Sequence, residues 1–479
     1  MKAHPSQFRF NRRHFLQGAG AAVISSVACP SFGAVGANEK IRLGLIGCGG
    51  RGDALFQQFA GESDVEFVAF CDPDQNHLDR FANRQKGSAK FKDYREMLDR
   101  DDIDAVVIAS PNYWHAIQTI HACQAGKDVY VEKPVTFSAD QGKGLVEAES
   151  KYKRIVQAGT QNRSDVGLIE AFKRIQEGEF GKIKAVRGLC YRNRESIGKL
   201  DTPLTPPESL DYNLWLGPRP DEPILRPHIH YDWHWDYNTG NGDIGNQAPH
   251  EFDLINWVLG DPRFTGTVES VGNRFGWNDG GNTPNLHTAW FEMEGVPVVF
   301  EVNDMTIKPK VNASPAFEGV RVGVIITCEG GEFRGGRGGG FVVGDDGKTK
   351  IAKFPGDAGG GHARNFLDAV KSRKPETLRA RLVNAVRSAE VMHLANLSHR
   401  AGAPLPLTKL MKDVPASISE VLERQEKQLA NWSIDTEKTP YVRGVPVSID
   451  ADKKISGNEK VVELAQPTYR PDFPFPSPI

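Results

Sequence analysis

The sequence predicts an α/β domain with a doubly wound parallel sheet, followed by an α+β domain with a large, mostly antiparallel open sheet. Three observations predict this. A short apolar strand over residues 41–46 runs into the glycine pattern Gly47-x-Gly49-x-x-Gly52. Strand and helix patterns then alternate to about residue 162, which is typical of a parallel sheet. Beyond residue 165, strand-like runs follow one another through short turns, which favours antiparallel pairing.

Composition limits the classes of function. The chain has 479 residues, with 59 basic and 61 acidic side chains, and this balance argues against a nucleic-acid partner. No stretch after the first 40 residues is long and apolar enough to predict a membrane span. The six cysteines show no C-x-x-C pair and no metal-ligand spacing, so we expect buried thiols and no metal.

The N-terminal segment resembles a twin-arginine export signal. Arg12 and Arg13 precede a modest apolar stretch, Phe15 to Ala28, and small residues follow. We therefore expect a folded protein that is exported to the periplasm, with the twin-arginine translocase as a partner during export. The alternatives are a chance arginine pair in a disordered leader and a lipoprotein site at Cys29.

These signals divide the chain into four parts. We predict a signal peptide over residues 1–37, a nucleotide-binding domain over 38–162, a substrate and oligomerisation domain over 163–410, and a C-terminal helix with an extended proline-rich tail over 411–479. The tail is expected to wrap another part of the chain or a neighbouring subunit.

The glycine pattern predicts a dinucleotide site in a Rossmann fold. Glycines permit the tight turn and the close approach of the backbone to a pyrophosphate, and the N-terminus of the next helix faces the negative charge. We assign this role to Gly47, Gly49, Gly50, Arg51 and Gly52. Asp72 ends the second strand, 20 residues past Gly52, where an acid receives ribose hydroxyls. A carboxylate there repels a 2′-phosphate, so NAD is predicted and NADP is disfavoured.

Further polar residues follow the ends of later strands, where the ligand crevice of a doubly wound sheet lies. The predicted cofactor contacts there are Ser110, Asn112, His115, Glu132, Lys133 and Gln161. Lys133 also carries a chemical prediction. A lysine that is partly desolvated in such a crevice has a lowered pKa and can exchange a proton with a hydroxyl. The alternative is an ordinary surface lysine ahead of a proline turn.

The order of these motifs resembles the glucose–fructose oxidoreductase / inositol dehydrogenase / MocA family. The resemblance rests on the glycine pattern, Pro111-Asn112-x-x-His115 and Glu132-Lys133-Pro134, and covers residues 40 to about 400. It implies that Lys133 lies beside the nicotinamide and the reacting hydroxyl. It also implies a second domain whose free sheet face often makes the dimer contact, so we expect a homodimer or homotetramer.

The second predicted domain holds the candidate substrate site. Residues 228–237 are packed with aromatic and hydrogen-bonding side chains, which carbohydrate sites use for stacking and for gripping hydroxyls. We assign substrate contacts to Tyr231, Trp233 and His234. The alternative is a loop that caps the sheet with its aromatic rings simply buried.

Residues 240–257 complete the predicted chemistry. His250 and Asp253 resemble the family's Asp-x-x-x-His-x-x-Asp signature, which implies a catalytic acid/base role for His250. Asn246 stands where the signature has Asp, and an amide cannot take a proton, so Lys133 with His250 becomes the expected pair. Asp243 or Asp253 could compensate. Arg163, Asn246 and Asp253 are further candidate substrate contacts, and a metal held by His230, His234 and His250 is the weaker alternative.

Three functions remain open at this point. The first is an NAD-dependent oxidoreductase that acts on a ring hydroxyl of a sugar, glycoside or cyclitol and keeps its cofactor tightly bound, since released NADH would be lost outside the cytoplasm. The second is a redox-neutral glycosidase or lyase that passes through a transient keto-sugar, with Tyr231, His234 or His250 as the C–H base. The third is a binding protein without catalysis.

Overall fold

The computed structural model describes residues 40–477, so the predicted export signal lies outside the described residues. The first sheet has six parallel strands in the order β3-β2-β1-β4-β5-β6. These strands are β1 (Ile41–Ile46), β2 (Val65–Cys71), β3 (Ala89–Phe91), β4 (Ala105–Ile108), β5 (Asp128–Val131) and β6 (Val156–Ala158). The strand order reverses between β1 and β4, which is where a doubly wound sheet opens its ligand crevice.

Helices connect these strands in the right order for a Rossmann fold. They are α1 (Gly50–Ala60), α2 (Gln75–Ala82), α3 (Tyr94–Leu98), α4 (Asn112–Gln124) and α5 (Gln141–Tyr152). Strands β4 and β5 are buried at every position, as a sheet covered on both faces requires. Helix α1 begins three residues earlier than the sequence pattern predicts, because the glycine turn feeds directly into the helix.

The second sheet is large and mixed. The main path has the order β14-β13-β12-β11-β7-β10-β9-β8-β16-β15, β17 pairs with β8 and β18, and only β7 and β10 pair in parallel. Its strands are β7 (Ile183–Tyr191), β8 (Gly266–Asn273), β9 (Leu286–Met293), β10 (Val296–Asn303), β11 (Val322–Cys328), β12 (Gly331–Gly336), β13 (Gly339–Val343), β14 (Lys350–Pro355), β15 (Ala403–Leu405), β16 (Tyr441–Arg443), β17 (Val447–Ile449) and β18 (Ile455–Ser456). The predicted fold class is confirmed for both domains.

Helices cover both faces of this sheet. The remaining helices are α6 (Val166–Gln176), α7 (Tyr212–Leu216), α8 (Gly242–Asn246), α9 (Pro249–Val258), α10 (His362–Ser372), α11 (Leu382–Arg400), α12 (Leu407–Leu410), α13 (Ala416–Asn431) and α14 (Glu459–Leu464). Helices α6, α9 and α11 share one apolar core with the sheet, while α12 and α13 pack on the opposite face around Val271 and Trp290. The second face is therefore partly covered within the chain.

Two segments pack on the first domain from far along the sequence. The helical run 362–371 follows the strand-like runs in the sequence and predicts a cover for the second sheet. In the structure, α10 instead joins the core of the first domain beside Phe59 and Tyr130. In the tail, the Phe473 ring meets the Trp114 ring edge-on at 5.6 Å. No described helix is long and apolar enough to cross a membrane. The cysteines among the described residues are buried and unpaired.

Candidate active site

The carboxyl ends of β1, β2, β4 and β5 open onto a cavity of about 400 Å³. It runs from the glycine turn and Asp72, past Asn112 and Lys133, to Trp233 and Asn246 of the second domain. Most of the predicted cofactor residues therefore meet in one crevice.

The glycine turn has the geometry that a pyrophosphate requires. Gly47 has φ +90°, and a Cβ there would lie 2.5 Å from the Ser110 backbone nitrogen. A Cβ on Gly52 would lie 2.0 Å from the Gly47 oxygen, so neither position accepts a side chain. Around Gly49, no described atom lies within 4 Å of the Cβ position, and α1 begins at Gly50. This leaves room for a phosphate at the positive end of a helix.

Asp72 is buried and fixes the loops on both sides of it. Its Oδ2 atom accepts a hydrogen bond of 2.7 Å from the Cys48 backbone N–H, and its Oδ1 atom accepts one of 2.9 Å from the Asp74 N–H. His77 Nδ1 lies 3.2 Å from Oδ2. The carboxylate thus anchors the glycine turn as well as facing the crevice.

Of three polar residues that follow β4, Asn112 presents free hydrogen-bonding groups, whereas Ser110 and His115 are engaged within the chain. Neither amide atom of the buried Asn112 side chain has a hydrogen-bond partner among the described residues, although Asn112 lines the cavity. Such an orphaned amide in a crevice needs a ligand or water. Ser110 Oγ donates instead to Gln118 Oε1 at 2.6 Å. The His115 ring lies between the Ser110 and Pro134 carbonyl oxygens, so it positions these two loops.

Glu132 forms a buried polar cluster at the end of β5. Its Oε1 atom accepts from Arg51 Nη2 at 2.6 Å and from Gln161 Nε2 at 3.1 Å. Gln161 also donates to the Tyr130 hydroxyl at 2.9 Å. Burial opposes the Glu132 charge, but the charges of Arg51 and Lys133 and the hydrogen bond from Arg51 together lower the pKa of Glu132. The cluster holds Arg51 across the crevice beside Lys133.

Lys133 places its amine where the two domains meet. Its Nζ atom donates to the Asn246 carbonyl oxygen. Burial lowers the pKa of Lys133, the Arg51 charge lowers it further, and the Glu132 charge opposes both. A lysine with a lowered pKa can reach its neutral form and act as a base.

Behind Asn246 lies a buried acidic pair that the sequence only partly indicates. Asn246 Nδ2 donates to Asp243 Oδ1 at 3.1 Å, and Arg194 Nε donates to Asp243 Oδ2 at 2.7 Å. Burial opposes the Asp243 charge, but the charges of Arg194 and His234 and the hydrogen bonds from Arg194 together lower the pKa of Asp243. Burial and the Asp243 charge raise the pKa of Asp304. Asp304 and Arg194 belong to no sequence motif, and only the fold brings them next to Asp243.

His234 and His250, the two histidines predicted to contact or react with the substrate, are neutral and do not line the cavity. His250 stands in the first turn of α9, and its buried Nδ1 atom has no partner among the described residues. Burial and the Lys133 charge lower its pKa well below the ordinary value. His234 Nδ1 lies 2.5 Å from the Tyr231 carbonyl oxygen, and burial lowers the pKa of His234 to about 4. Both imidazoles are therefore neutral and only weakly basic.

Two of the predicted aromatic substrate contacts do line the cavity. Tyr231 is 58 % exposed, has φ +64°, and its hydroxyl accepts from Arg194 Nη1 at 2.8 Å. Trp233 is half-buried and meets the Tyr113 ring edge-on at 6.2 Å. Tyr231 thus connects the open mouth of the cavity with the Arg194–Asp243 pair.

Arg163 and Asp253 lie elsewhere than the sequence suggests. Arg163 Nε and Nη2 donate to the two oxygens of Asp253 at 2.7 and 2.9 Å, and Arg163 also pairs with Asp261. Both Arg163 and Asp253 are fully enclosed and neither lines the cavity. The ion pair instead fixes α9, the helix that carries His250, so the structure favours a positioning role over substrate contact.

The adenosine end of the crevice has a cover that no sequence signal indicates. His230 Nε2 lies 3.0 Å from Asp74 Oδ2, and the His77 and His230 rings are 4.6 Å apart. Asp74, His77 and His230 bring possible ligand atoms within 4.8 Å of one another, but the two imidazoles already face Asp72 and Asp74. We interpret the group as a polar contact between the two domains.

These residues fit a dinucleotide. The open approach at Gly49 would hold its pyrophosphate, and the carboxylate of Asp72 would bind a ribose. The unpaired Asn112 amide would form hydrogen bonds with the bound nucleotide. Lys133 and Asn246 lie at the other end of the same cavity, where the reactive ring belongs.

Comparisons with known proteins agree with this site. Residues 41–160 match the GFO_IDH_MocA model, described as an oxidoreductase family with an NAD-binding Rossmann fold, and residues 183–270 match its C-terminal α/β domain. Inositol 2-dehydrogenase of Salmonella typhimurium is 32% identical over 186 residues, which are 37% of this chain and 54% of that protein. Glycosyl hydrolase family 109 protein 1 of Shewanella sp. (strain ANA-3) is 31% identical over 205 residues, 36% of this chain and 44% of that protein. The chain thus spans about half the length of these curated relatives.

Solved structures share the fold. The WlbA dehydrogenase of Bordetella pertussis, in complex with NADH and UDP-GlcNAcA, aligns with a TM-score of 0.57 and 23% identity over 77% of this chain and 99% of that one. Both domain models, the order of the motifs and the nucleotide crevice lead to one assignment. The chain belongs to the glucose–fructose oxidoreductase / inositol dehydrogenase / MocA family of oxidoreductases, with an NAD-binding Rossmann domain.

Proposed function

We propose that this protein is an NAD-dependent oxidoreductase that acts on a ring hydroxyl of a sugar, glycoside or cyclitol and keeps its NAD bound. The observation that carries the proposal is Lys133. Its amine has a lowered pKa, lies in the nucleotide crevice and contacts Asn246 of the second domain. The inositol dehydrogenase relative supports the class of substrate.

Each side chain then has a defined task. Bound NAD supplies a hydride acceptor beside the ring carbon. Neutral Lys133 accepts the hydroxyl proton, and the Asn246 carbonyl aims its Nζ atom. His250 is neutral and offers a second proton acceptor. Tyr231 and Trp233 flank the sugar, and Arg194 holds the Tyr231 hydroxyl in place.

A redox-neutral glycosidase or lyase is the second candidate, and the glycosyl hydrolase family 109 relatives favour it. In that reaction the hydride returns to the sugar after elimination, so a base must also take a C–H proton. Of the three candidate bases, Tyr231 is the one that lines the cavity, and its hydroxyl sits on Arg194.

We also propose that the protein works in the periplasm as a homodimer or homotetramer, after export in the folded state by the twin-arginine translocase. Arg12 and Arg13 support the export route. Folding before export allows NAD to be loaded in the cytoplasm, which accords with a cofactor that stays bound.

One experiment separates these functions. The purified protein is denatured, any released nucleotide is identified by mass, and native protein is incubated with sugars and glycosides without added NAD. A keto-sugar together with bound NADH supports the oxidoreductase, whereas a cleaved glycoside with unchanged NAD supports the redox-neutral enzyme. If the protein contains no nucleotide and binds no added NAD, both proposals fail.

A further inference from the structure

A second cavity of about 510 Å³ lies apart from the nucleotide crevice and shares no lining residue with it. It is bounded by the loop after β5, the C-terminal half of α11 and the segment 463–468. Four asparagine side chains line it: Asn238, Asn241, Asn282 and Asn396. The amides of Asn241, Asn282 and Asn396 donate to acceptors within the chain. The amide oxygen of Asn238 has no partner among the described residues, so it can accept from a ligand hydroxyl.

Two guanidinium groups face this cavity without a carboxylate partner. Arg219 is 8% exposed, donates to the Asn238 carbonyl oxygen at 2.5 Å and lies 4.5 Å from the centre of the Phe137 ring. Arg400 is partly buried and lies 4.8 Å from the centre of the Tyr237 ring. Within residues 40–477, neither guanidinium forms an ion pair. Burial lowers the pKa of both, that of Arg219 to about 10.

Other buried arginines of this chain are paired. Among the described residues, two further arginines are as fully buried as Arg219, and they pair with carboxylates: Arg163 with Asp253 and Arg226 with Asp236. The pairing is expected, because a buried charge without a counter-ion costs several kcal/mol. Arg400 gains only the partial negative charge at the end of α11 and the face of a ring. Arg219 and Arg400 are therefore cations without a counter-ion among the described residues, and a bound anion would stabilise both.

An uncommitted amide stands beside them. The Oδ1 atom of Asn238 is buried and has no partner among the described residues, while its Nδ2 atom donates to the Pro220 carbonyl oxygen. Exposed Glu222 and Glu463 stand among the lining residues. Their charges disfavour a polyanion and leave a small, singly charged ligand as the best match.

We propose that this cavity is a second binding site, for a saccharide that carries one oxyanion, such as a uronate or a sugar monosulfate. Arg219 and Arg400 bind the oxyanion, and the free amide oxygen of Asn238 accepts from a hydroxyl of the saccharide. The site is separate from the nucleotide crevice, so its ligand and NAD bind together. The proposal does not depend on the reaction assigned above.

Calorimetry on the full-length protein tests it with three probes: D-glucuronate, D-glucose and inorganic sulfate. We expect glucuronate to bind with a Kd of about 1 mM or tighter, and glucose to bind at least about tenfold more weakly. Arg400→Gln and Asn238→Asp should each weaken glucuronate binding by about tenfold or more, because one removes a cation and the other adds an anion. Arg387→Gln, a change on the same helix outside the cavity, should leave it unaltered.

Two readouts keep the outcomes distinct. Bound nucleotide is measured in each variant, and unchanged NAD content shows that the variant is folded and that the two sites are separate. The proposal is overturned if wild-type protein binds no glucuronate, or if Asn238→Asp binds it as well as wild type does. Binding of sulfate without glucuronate overturns the saccharide assignment.

Discussion

Lys133 shows how one side chain acquires its chemistry from two domains. The first domain supplies burial at the end of β5 and the Arg51–Glu132 pair beside it. The second domain supplies the carbonyl oxygen of Asn246 that holds Nζ. Burial and the Arg51 charge lower the pKa of Lys133 by more than the Glu132 charge raises it, so this pKa lies below its usual 10.5.

We expect Lys133→Met to retain bound nucleotide and to lose turnover by about 100-fold or more, because the general base is removed. Nucleotide content and initial rates measure the two effects. Thr408→Ala on α12, a change far from the crevice, serves as the control. Full activity in Lys133→Met would refute the role of the amine.

The pH profile follows from the direction of the same shift. Oxidation needs the neutral amine, so the rate should rise with pH and level off above the pKa of Lys133. Since that pKa is lowered, the plateau should begin below pH 10.5. Rates of wild type and Lys133→Arg across pH check this, because arginine stays charged. If the rate of Lys133→Arg still rises with pH in the same way, the rise reports the titration of another group and the prediction fails.

At the scale of elements, the Arg163–Asp253–Asp261 cluster holds α9 against the turn that follows β6. Ser388 Oγ on α11 also donates to Asp253 Oδ1 at 3.0 Å. The cluster therefore joins three elements at a point that sets where His250 lies. Arg163 and Asp253 are buried and cannot contact a substrate, so the cluster serves to position α9.

Arg163→Met should lower the free energy of unfolding by about 3–5 kcal/mol, because it leaves Asp253 as a buried carboxylate without its cation. Urea denaturation measures the change. Arg174→Met breaks an exposed pair with Glu179 and should change the free energy of unfolding far less, because water and salt screen such a pair. If both variants lose the same stability, the buried pair does not have the role assigned here.

At the scale of the whole molecule, the second domain closes the adenosine end of the crevice. The Asp211 N–H donates to the Pro73 carbonyl oxygen and the Gln75 N–H to the Ser209 carbonyl oxygen, both at 2.9 Å. His230 adds its contact with Asp74. We expect these contacts to slow the release of a bound nucleotide.

His230→Ala should therefore speed the release of NAD by about tenfold, the effect of losing about 1.4 kcal/mol of contact. Dilution of the loaded protein into an NAD-trapping enzyme follows the release. His228→Ala changes an exposed imidazole in the same segment and should leave the rate unaltered. Equal release from both variants would remove His230 from the cover.

The sequence predicts the strand runs well where apolar patterns are strong and local. The apolar runs Ile183–Tyr191 and Val322–Cys328 form β7 and β11 over their full length. Glycines and lysines hide the strand pattern of β12 and β14 in the sequence. The position of α10 also escaped prediction, since its apolar face fits either core and only the chain path chooses between them.

By itself, the sequence determined the nucleotide crevice. Gly47, Gly52, Asp72 and Lys133 stand at strand ends, and the parallel sheet brings all strand ends to one edge. Only the tertiary structure decided which charges meet: Arg194 with Asp243, Arg163 with Asp253, and Arg219 with no carboxylate partner among the described residues. Such contacts join residues far apart in the chain, so no periodicity records them. The packing of the two domains fixes them, through the cost of burying a charge alone.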